Sequence, residues 1–215
     1  MFTGIVQKVA QVKTLQNKGQ TARLTLKLDA IAREIKPGDS VLVNGVCLTA
    51  TTVENTVANF DISAETLRLT NLGDMSSRAK VNIELALRPT DRFGGHFVTG
   101  HVDGLGRVKH LQNHPGETRL VVQVPPELTD QMILKGSVAV DGVSLTIAAL
   151  RPGEFQVSLI PHTLEKTNFT ERNTGDELNI ECDMVAKLVQ RYVRQQQNQI
   201  SDKNKIDIDV LREEG

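Results

Sequence analysis

The chain has 215 residues, of which 39% are hydrophobic and 3% aromatic, and its formal net charge is -1. This length suits one large or two small domains. The near-neutral charge gives no reason to expect a nucleic acid or an anionic membrane as a partner. Two cysteines make no disulfide framework, the first residues lack the pattern of a signal peptide, and we find no apolar run that would span a bilayer. We therefore expect a cytoplasmic protein that binds neither membrane nor nucleic acid.

The chain repeats itself at a nearly constant distance. Residues 40–49 read SVLVNGVCLT and residues 137–146 read SVAVDGVSLT, so seven of ten positions agree at an offset of 97. Three further pairs recur at an offset of 97 or 96: TLRLTN with TLEKTN, VNIE with LNIE, and TGIV with TGHV. Chance similarity between two β-rich segments is the alternative, but shared composition alone rarely keeps one offset. The repeats predict a tandem duplication with a boundary near Phe97.

Each copy has the pattern of a β-barrel. Residues 22–29, ARLTLKLD, alternate with three leucines on one face, and residues 118–125, TRLVVQVP, alternate in the second copy. Asn-Gly and Asp-Gly inside the repeated segment predict two-residue hairpins. Residues 29–38 and 125–136 each predict one short helical turn. Many short strands with glycine-bearing turns favour a closed barrel. The predicted fold class is all-β: two tandem duplicated closed antiparallel Greek-key β-barrels plus a C-terminal amphipathic α-helix.

The segment after Glu181 has a different period. Six apolar residues recur at helical spacing: Met184, Val185, Leu188, Val189, Tyr192 and Val193. Asp183 can cap this helix. Because the first copy has no counterpart, the apolar stripe must be covered either by self-association, which we favour, or by the chain's own barrel. The predicted domains are two barrels at 1–97 and 98–183, an oligomerisation helix at 184–200 and a polar tail at 201–215.

The residue patterns for common catalytic centres are missing. We find no Cys/His cluster with metal-ligand spacing, so we predict no metal site, and we find neither a nucleophile elbow nor a nucleotide-binding loop. Taken alone, Cys47 has the pattern of a small buried hydrophobe, and Ser144 and Thr146 that of strand polar residues satisfied locally. Residues 94–106, GGHFVTGHVDGLG, contain five glycines and two histidines. They predict either a flexible linker with a strand, or backbone close to a flat ligand with a histidine as donor or acceptor.

Seven segments in order resemble the riboflavin synthase family, of the trimeric alpha-subunit type: MFTGIV, NGVCLT, SAETLRLTNLG, GGHFVTGHVDG, DGVSLT, IPHTLEKTN and LNIE. The resemblance runs from Met1 to about Tyr192. It implies a cofactor-independent dismutation, in which one 6,7-dimethyl-8-ribityllumazine gives a four-carbon unit to another, forming riboflavin and 5-amino-6-(ribitylamino)uracil. It also implies a homotrimer held by the C-terminal helices, in which the N-terminal barrel of one subunit faces the C-terminal barrel of its neighbour. Association with lumazine synthase is left open.

The resemblance implies two half-sites, one for each lumazine. In the N-terminal barrel it implies Gly4, Ile5, Val6, Cys47, Leu48, Thr49, Asp61, Ile62, Ser63, Ala64, Glu65, Thr66, Gly100, His101 and Val102. In the C-terminal barrel it implies Lys135, Ser144, Leu145, Thr146, Ile160, Pro161, His162, Thr163, Leu164 and Glu165.

The resemblance also implies six candidate catalytic residues: Ser40, Cys47, His101, Ser144, Thr146 and Asp183. Ser40 and Cys47 would deliver a nucleophile, either water or their own heteroatom, to C7 of the acceptor. His101 with Thr146 would assist removal of the methyl proton from the donor. Asp183 would pair with Ser40 across the subunit interface, and Ser144 would offer a hydroxyl where Cys47 offers a thiol.

Two other classes of protein compete with an enzyme. Lumazine proteins share the duplicated barrel and hold one lumazine or flavin as an optical antenna without turnover. The intact second-copy motifs and the C-terminal helix favour the enzyme over the antenna. An oligonucleotide-binding barrel is disfavoured by the neutral charge and the scarcity of aromatic residues for stacking.

Overall fold

The structure, a computed structural model, describes residues 1–196 of the chain. The last four residues of the predicted 184–200 helix and the whole predicted tail at 201–215 lie outside the described residues.

The described strands form two closed barrels of six antiparallel strands each. The first barrel contains β1 (Lys8–Lys18), β2 (Thr21–Lys27), β3 (Ser40–Val43), β4 (Val46–Glu54), β5 (Val57–Ile62) and β6 (Lys80–Leu85). The second contains β7 (Gly104–His114), β8 (Glu117–Gln123), β9 (Ser137–Val140), β10 (Val143–Arg151), β11 (Glu154–Leu159) and β12 (Glu177–Cys182). The first is ordered β1-β2-β5-β4-β3-β6, and the second has the same order six strands later. The predicted fold class is confirmed, and the predicted boundary near Phe97 lies in the connection between β6 and β7.

Short helices lie between the strands, and a longer one follows them. The helices are α1 (Ala64–Leu69), α2 (Pro126–Thr129), α3 (Pro161–Lys166) and α4 at 184–196, with 3-10 turns at Asp29–Glu34, Asn71–Asp74 and Asn168–Glu171. The two predicted helical turns are confirmed as the first 3-10 turn and α2. No helix within residues 1–196 has the length and apolar character needed to cross a membrane.

The duplication extends to irregularities of the backbone. The register shift that follows Val12 in β1 recurs after Val108 in β7, and the shift that follows Ala50 in β4 recurs after Ile147 in β10. A bulge bends its strand and increases the local twist. The two barrels therefore close with the same bends at equivalent places.

Each barrel has its own apolar core. Leu24, Leu26 and Leu28 of the first barrel are fully buried, as their alternation predicts. Leu120 and Val122 take the same role in the second barrel. Burial of one such side chain contributes about 1.5–3 kcal/mol. Because alternate residues of a strand point to opposite faces, the outer faces are left for contacts outside each barrel.

The two barrels meet through their equivalent hairpin turns, Asn44–Gly45 and Asp141–Gly142. All four residues have positive φ, and a Cβ on the first glycine would lie 2.7 Å from the backbone nitrogen of the second. Asn82 donates to the Asp141 carbonyl at 3.0 Å, and its counterpart Asn179 donates to the Asn44 carbonyl at 2.8 Å. This reciprocal pairing gives the chain an internal two-fold relation.

Candidate functional site

The hairpin of β3 and β4 presents four predicted or neighbouring residues on its outer face. Ser40 pairs with Thr49 and Leu42 with Cys47, so these four share one face. The residues between them lie in the barrel core: Val41, Val43, Val46 and Leu48. Cys47 is half-buried and Thr49 is exposed.

The hairpin of β9 and β10 repeats this arrangement. Ser144 pairs with Ala139, and Thr146 with Ser137. Ser144 is half-buried like Cys47, and Thr146 is exposed like Thr49. The two hairpins therefore present the same backbone face, with a thiol in the first and a hydroxyl in the second.

Each hairpin is completed by a Thr-Gly segment. The backbone N–H of Cys47 donates to the Gly100 carbonyl at 3.0 Å, and Val102 packs against the first core. Gly100–Val102 therefore lies beside Cys47, where the sequence places it. The backbone N–H of Ser144 donates to the Gly4 carbonyl at 2.8 Å.

The structure places Gly4–Val6 beside the second hairpin, whereas the resemblance implied that they line the first half-site. A Cβ on Gly4 would lie 2.7 Å from the Cβ of Ser144, and Val6 packs against the second core. The reason is a crossing: Phe2 and Val98 form an antiparallel bridge between the barrels, with N···O distances of 2.8 and 3.2 Å. Because of this crossing, each Thr-Gly segment lies beside the hairpin of the other copy. The offset between the repeats gives equivalent positions but not which copy a segment contacts.

Two buried glutamates bind the two Thr-Gly segments, and the sequence analysis assigned no role to either of them. Glu84 of β6 accepts hydrogen bonds from both backbone N–H groups of Thr3–Gly4, at 2.7 and 2.9 Å, and from the threonine hydroxyl at 2.7 Å. Glu181 of β12 holds Thr99–Gly100 in the same way, at 2.7, 2.9 and 2.6 Å. Burial raises the pKa of both carboxyls, and these hydrogen bonds oppose the rise. The sequence did contain a signal for these two glutamates, since they are the last residues of the repeated VNIE and LNIE.

Residues 94–103 of the segment at 94–106 connect the barrels without a strand, and its last three residues begin β7. Its only β-pairing ahead of Gly104, within the described chain, is the Phe2–Val98 bridge. The partner segment is short, and the positive φ of Gly100 ends extended pairing. His101 is exposed, whereas His96 is buried.

His96 is a site residue that the sequence did not predict. Its Nδ1 lies 2.7 Å from the Ser144 Oγ. Burial lowers the pKa of His96, and the charge of Asp183 opposes this. A Cβ on Gly95 would lie 2.9 Å from the Ser144 Cβ, so glycine allows this close approach. The glycine pair before His96 was the available signal.

The rest of the first predicted half-site follows β5. Because β5 pairs with β4, its last residue Ile62 leaves the sheet beside the Cys47 hairpin. Ser63 caps α1 by accepting from the Thr66 N–H at 3.2 Å. Hydrogen bonds from arginines lower the pKa values of Asp61, which binds Arg23, and of Glu65, which binds Arg68. Ala64 begins α1 and is exposed.

The second predicted half-site follows β11 in the same manner. Ile160 precedes α3, which starts at Pro161 with His162. Ile160 and Lys135 are exposed, and the Lys135 N–H donates to the Ile147 carbonyl at 2.9 Å. The remaining predicted residues differ in exposure: Thr163 and Leu164 are half-buried, Glu165 is exposed, and Leu145 is buried.

The contacts between His101 and Thr146 and between Ser40 and Asp183, which the resemblance implies across a subunit interface, stay predictions. Asp183 caps α4 as predicted, accepting from the Val185 N–H at 2.9 Å. Among residues 1–196, no three or more histidine, cysteine, aspartate or glutamate side chains are grouped so that they could hold a metal ion.

The stripe of α4 is exposed. Leu188 is 68% and Tyr192 62% exposed, so the barrel of the same chain does not cover them. The opposite side of the helix is attached to the second barrel, because Lys187 binds both Asp103 oxygens at 2.8 and 2.9 Å and Ala186 is buried.

Comparison with known proteins gives a family for this arrangement. The lumazine-binding domain matches twice, over residues 3–86 and 99–183. The chain is 40% identical to riboflavin synthase of Bacillus subtilis strain 168 over 193 residues, which are 90% of each chain. It is 34% identical to riboflavin synthase of Actinobacillus pleuropneumoniae over 215 residues, the whole of both chains. The chain belongs to the riboflavin synthase family.

Solved structures of similar fold include LumP complexed with riboflavin, with a TM-score of 0.79 at 24% identity over 85% of this chain and 99% of that one. LumP complexed with 6,7-dimethyl-8-(1'-D-ribityl) lumazine has a TM-score of 0.78 at 23% identity, with the same coverage. At this identity the likeness shows the fold alone. The two matches to the lumazine-binding domain begin at Thr3 and Thr99. These are the threonines whose N–H groups donate to the buried glutamates Glu84 and Glu181 in this riboflavin synthase family member.

Proposed function

We propose that this protein is a riboflavin synthase. Two molecules of 6,7-dimethyl-8-ribityllumazine react, and a four-carbon unit passes from one to the other to give riboflavin and 5-amino-6-(ribitylamino)uracil. The observation that carries the proposal is the duplicated outer face of the two hairpins. Cys47 and Ser144 occupy equivalent positions on these faces, with a thiol in the first and a hydroxyl in the second. A reaction whose donor and acceptor are the same compound needs two similar half-sites. The atoms of two substrates equal those of the two products, so no oxidant or reductant is consumed.

The proposed chemistry depends mainly on positioning. The 7-methyl protons of a lumazine are acidic because the resulting anion delocalises into the ring, and C7 of the second ring accepts a nucleophile. Ser40 and Cys47 share the outer face of the first hairpin, and in this proposal they deliver that nucleophile. His101 and Thr146 are exposed and so accessible for proton transfer from the donor methyl group. Holding two rings in reactive orientation supplies on the order of several kcal/mol of the barrier reduction.

We further propose that the complete site forms between copies of a homotrimer, with the N-terminal barrel of one copy opposite the C-terminal barrel of its neighbour. The uncovered stripe of α4 and the exposed Thr49, His101 and Thr146 support this. Analytical ultracentrifugation of the full chain tests this proposal, because it gives the mass of the particle in solution. A monomer at working concentration would contradict the shared site. Two free cysteines favour a reducing compartment, the cytoplasm. Association with lumazine synthase stays a prediction.

Incubation of the purified protein with 6,7-dimethyl-8-ribityllumazine alone, with chelator and without cofactor, tests the activity. We expect one riboflavin for every two lumazines consumed, followed by absorbance and by separation of the products. Binding of lumazine without turnover would favour an antenna protein instead and would reduce Cys47, His101 and Ser144 to pocket residues.

A further inference from the structure

The contact between His96 and Ser144 has no role in the function proposed above. His96 comes from the connection between the barrels and Ser144 from β10, and 2.7 Å separates Nδ1 from Oγ. His96 is 8% exposed. Within residues 1–196 its other ring nitrogen, Nε2, is buried and has no hydrogen-bond partner. A buried ring with one nitrogen bonded and one unbonded restricts where its proton can lie.

The two neutral tautomers of His96 differ in what they leave unsatisfied. With the proton on Nε2, a buried N–H has no acceptor, and unpaired buried N–H groups are rarer in proteins than under-satisfied acceptors. With the proton on Nδ1, the ring donates to Ser144, and only a lone pair on Nε2 stays unpaired. Burial lowers the pKa of His96, which favours the neutral ring. The Nδ1–H tautomer is therefore the favoured one.

This tautomer determines what the Ser144 hydroxyl offers to a ligand. The hydroxyl accepts from His96, so its own proton is left to be donated. The Ser144 side chain is half-buried on the outer hairpin face, and it has no other hydrogen bond among the described residues. In the first half-site, Cys47 has only a weak S–H donor, and no histidine of the described chain is hydrogen-bonded to it.

We propose that His96 is a positioning residue that makes the Ser144 hydroxyl a hydrogen-bond donor to a carbonyl oxygen or unprotonated ring nitrogen of the pteridine bound in the second half-site. The inference rests on the proposed function, because it takes the ligand to be a pteridine. It also distinguishes the half-sites chemically, since the second donates an O–H hydrogen bond at the place where the first offers only the weak S–H donor of a thiol.

The tautomer can be measured without ligand or turnover. Long-range proton–nitrogen NMR of histidine-labelled protein separates protonated from bare ring nitrogens, and the His96 signals are those missing from a His96→Asn sample. The chain has five histidines, so the spectrum is tractable. We expect Nδ1 protonated and Nε2 bare. A proton on Nε2, or on both nitrogens, at neutral pH would overturn the proposal.

Binding of riboflavin, followed by its fluorescence, tests the role of the hydroxyl. His96→Leu removes the ring donor, whereas His96→Asn keeps an N–H close to the position of Nδ1. We expect His96→Leu and Ser144→Ala each to weaken riboflavin binding about three- to tenfold, the value of one neutral hydrogen bond, and His96→Asn to retain most of the affinity.

The double variant separates positioning from a merely structural role. If His96 acts through the hydroxyl, His96→Leu has little further effect in the Ser144→Ala background. Fully additive losses would overturn the proposal. Coupled losses without lumazine turnover would support the positioning role and reject the synthase activity. If riboflavin did not bind at all, the proposed function would fail, and the NMR experiment would still decide the geometry.

Discussion

Replacing Glu84, a residue of the first barrel, by glutamine should perturb the predicted half-site of the second barrel. Glu84 belongs to the first barrel, but the Thr3–Gly4 segment that it holds supports Ser144 of the second. Glu181→Gln is the matched variant, because its carboxylate holds the segment that supports Cys47. Each variant should therefore loosen the hairpin of the barrel to which it does not belong.

The expected magnitude follows from the three hydrogen bonds. Glutamine can keep its carbonyl toward the N–H and hydroxyl of Thr3, which both use Oε1, but its NH₂ then faces the Gly4 N–H that Oε2 accepted at 2.9 Å. Loss of one hydrogen bond to a charged group costs about 1.5–3 kcal/mol. The two that remain are weakened because they lose their charge assistance. We expect a loss of about 2–4 kcal/mol in the free energy of unfolding at about pH 8, where an ordinary carboxyl is ionised.

Urea unfolding measures the stability, and hydrogen exchange followed by mass spectrometry locates the effect. Exchange should increase at residues 143–146 in Glu84→Gln and at residues 46–49 in Glu181→Gln. The control is Glu34→Gln, whose exposed carboxylate binds Arg88 and should contribute less than about 1 kcal/mol. Faster exchange confined to the hairpin of the variant's own barrel would refute the crossed arrangement. A loss of stability no larger than that of Glu34→Gln would refute the stabilising role of the hydrogen bonds from the Thr-Gly segment to the buried glutamate.

Three other changes are predicted. Gly142→Ala should cost about 2–4 kcal/mol because its Cβ would lie 2.7 Å from the Gly45 nitrogen, whereas Gly116→Ala, also at positive φ but in open space, should cost about 1–2 kcal/mol in urea unfolding. Phe2→Ala should cost about 3–5 kcal/mol, since Phe2 is fully buried between the barrels; an unchanged urea midpoint would contradict this packing. Because burial lowers the pKa of His96, its contribution to stability should be complete above about pH 6.5 and lost as the pH falls. His96→Asn should remove that dependence, at most about 1.4 kcal/mol per pH unit, and an identical pH profile of the urea midpoint in both proteins would argue against it.

The sequence predicted well wherever one element carries its own pattern. Alternating Leu24, Leu26 and Leu28 identified a core-facing strand, and the Asn-Gly and Asp-Gly pairs identified the hairpins. The spacing from Met184 to Val193 identified α4. These features depend on neighbours within a few residues, where the period of the chain determines which side chains share a face.

Prediction failed for residues whose environment comes from distant parts of the chain. Gly4–Val6 was assigned to the first barrel's half-site, but Gly4 lies against Ser144 of the second barrel because the Phe2–Val98 bridge crosses between copies. His96 lies 48 residues from Ser144, and neither position alone predicts their contact. Glu84 and Glu181 matched between the repeats, but the donors that they bind lie at least 80 residues away.

The sequence by itself determined that the chain is duplicated, that each copy is an antiparallel barrel, and that an apolar helix follows, because repeat offset and hydrophobic period are local properties. Only the tertiary structure decided which segment completes which hairpin. That choice depends on the crossing at Phe2 and Val98 and on buried carboxylates that must find hydrogen-bond donors. Burial makes an unpaired polar group costly, and the folded chain meets this requirement with partners that its order along the sequence does not reveal.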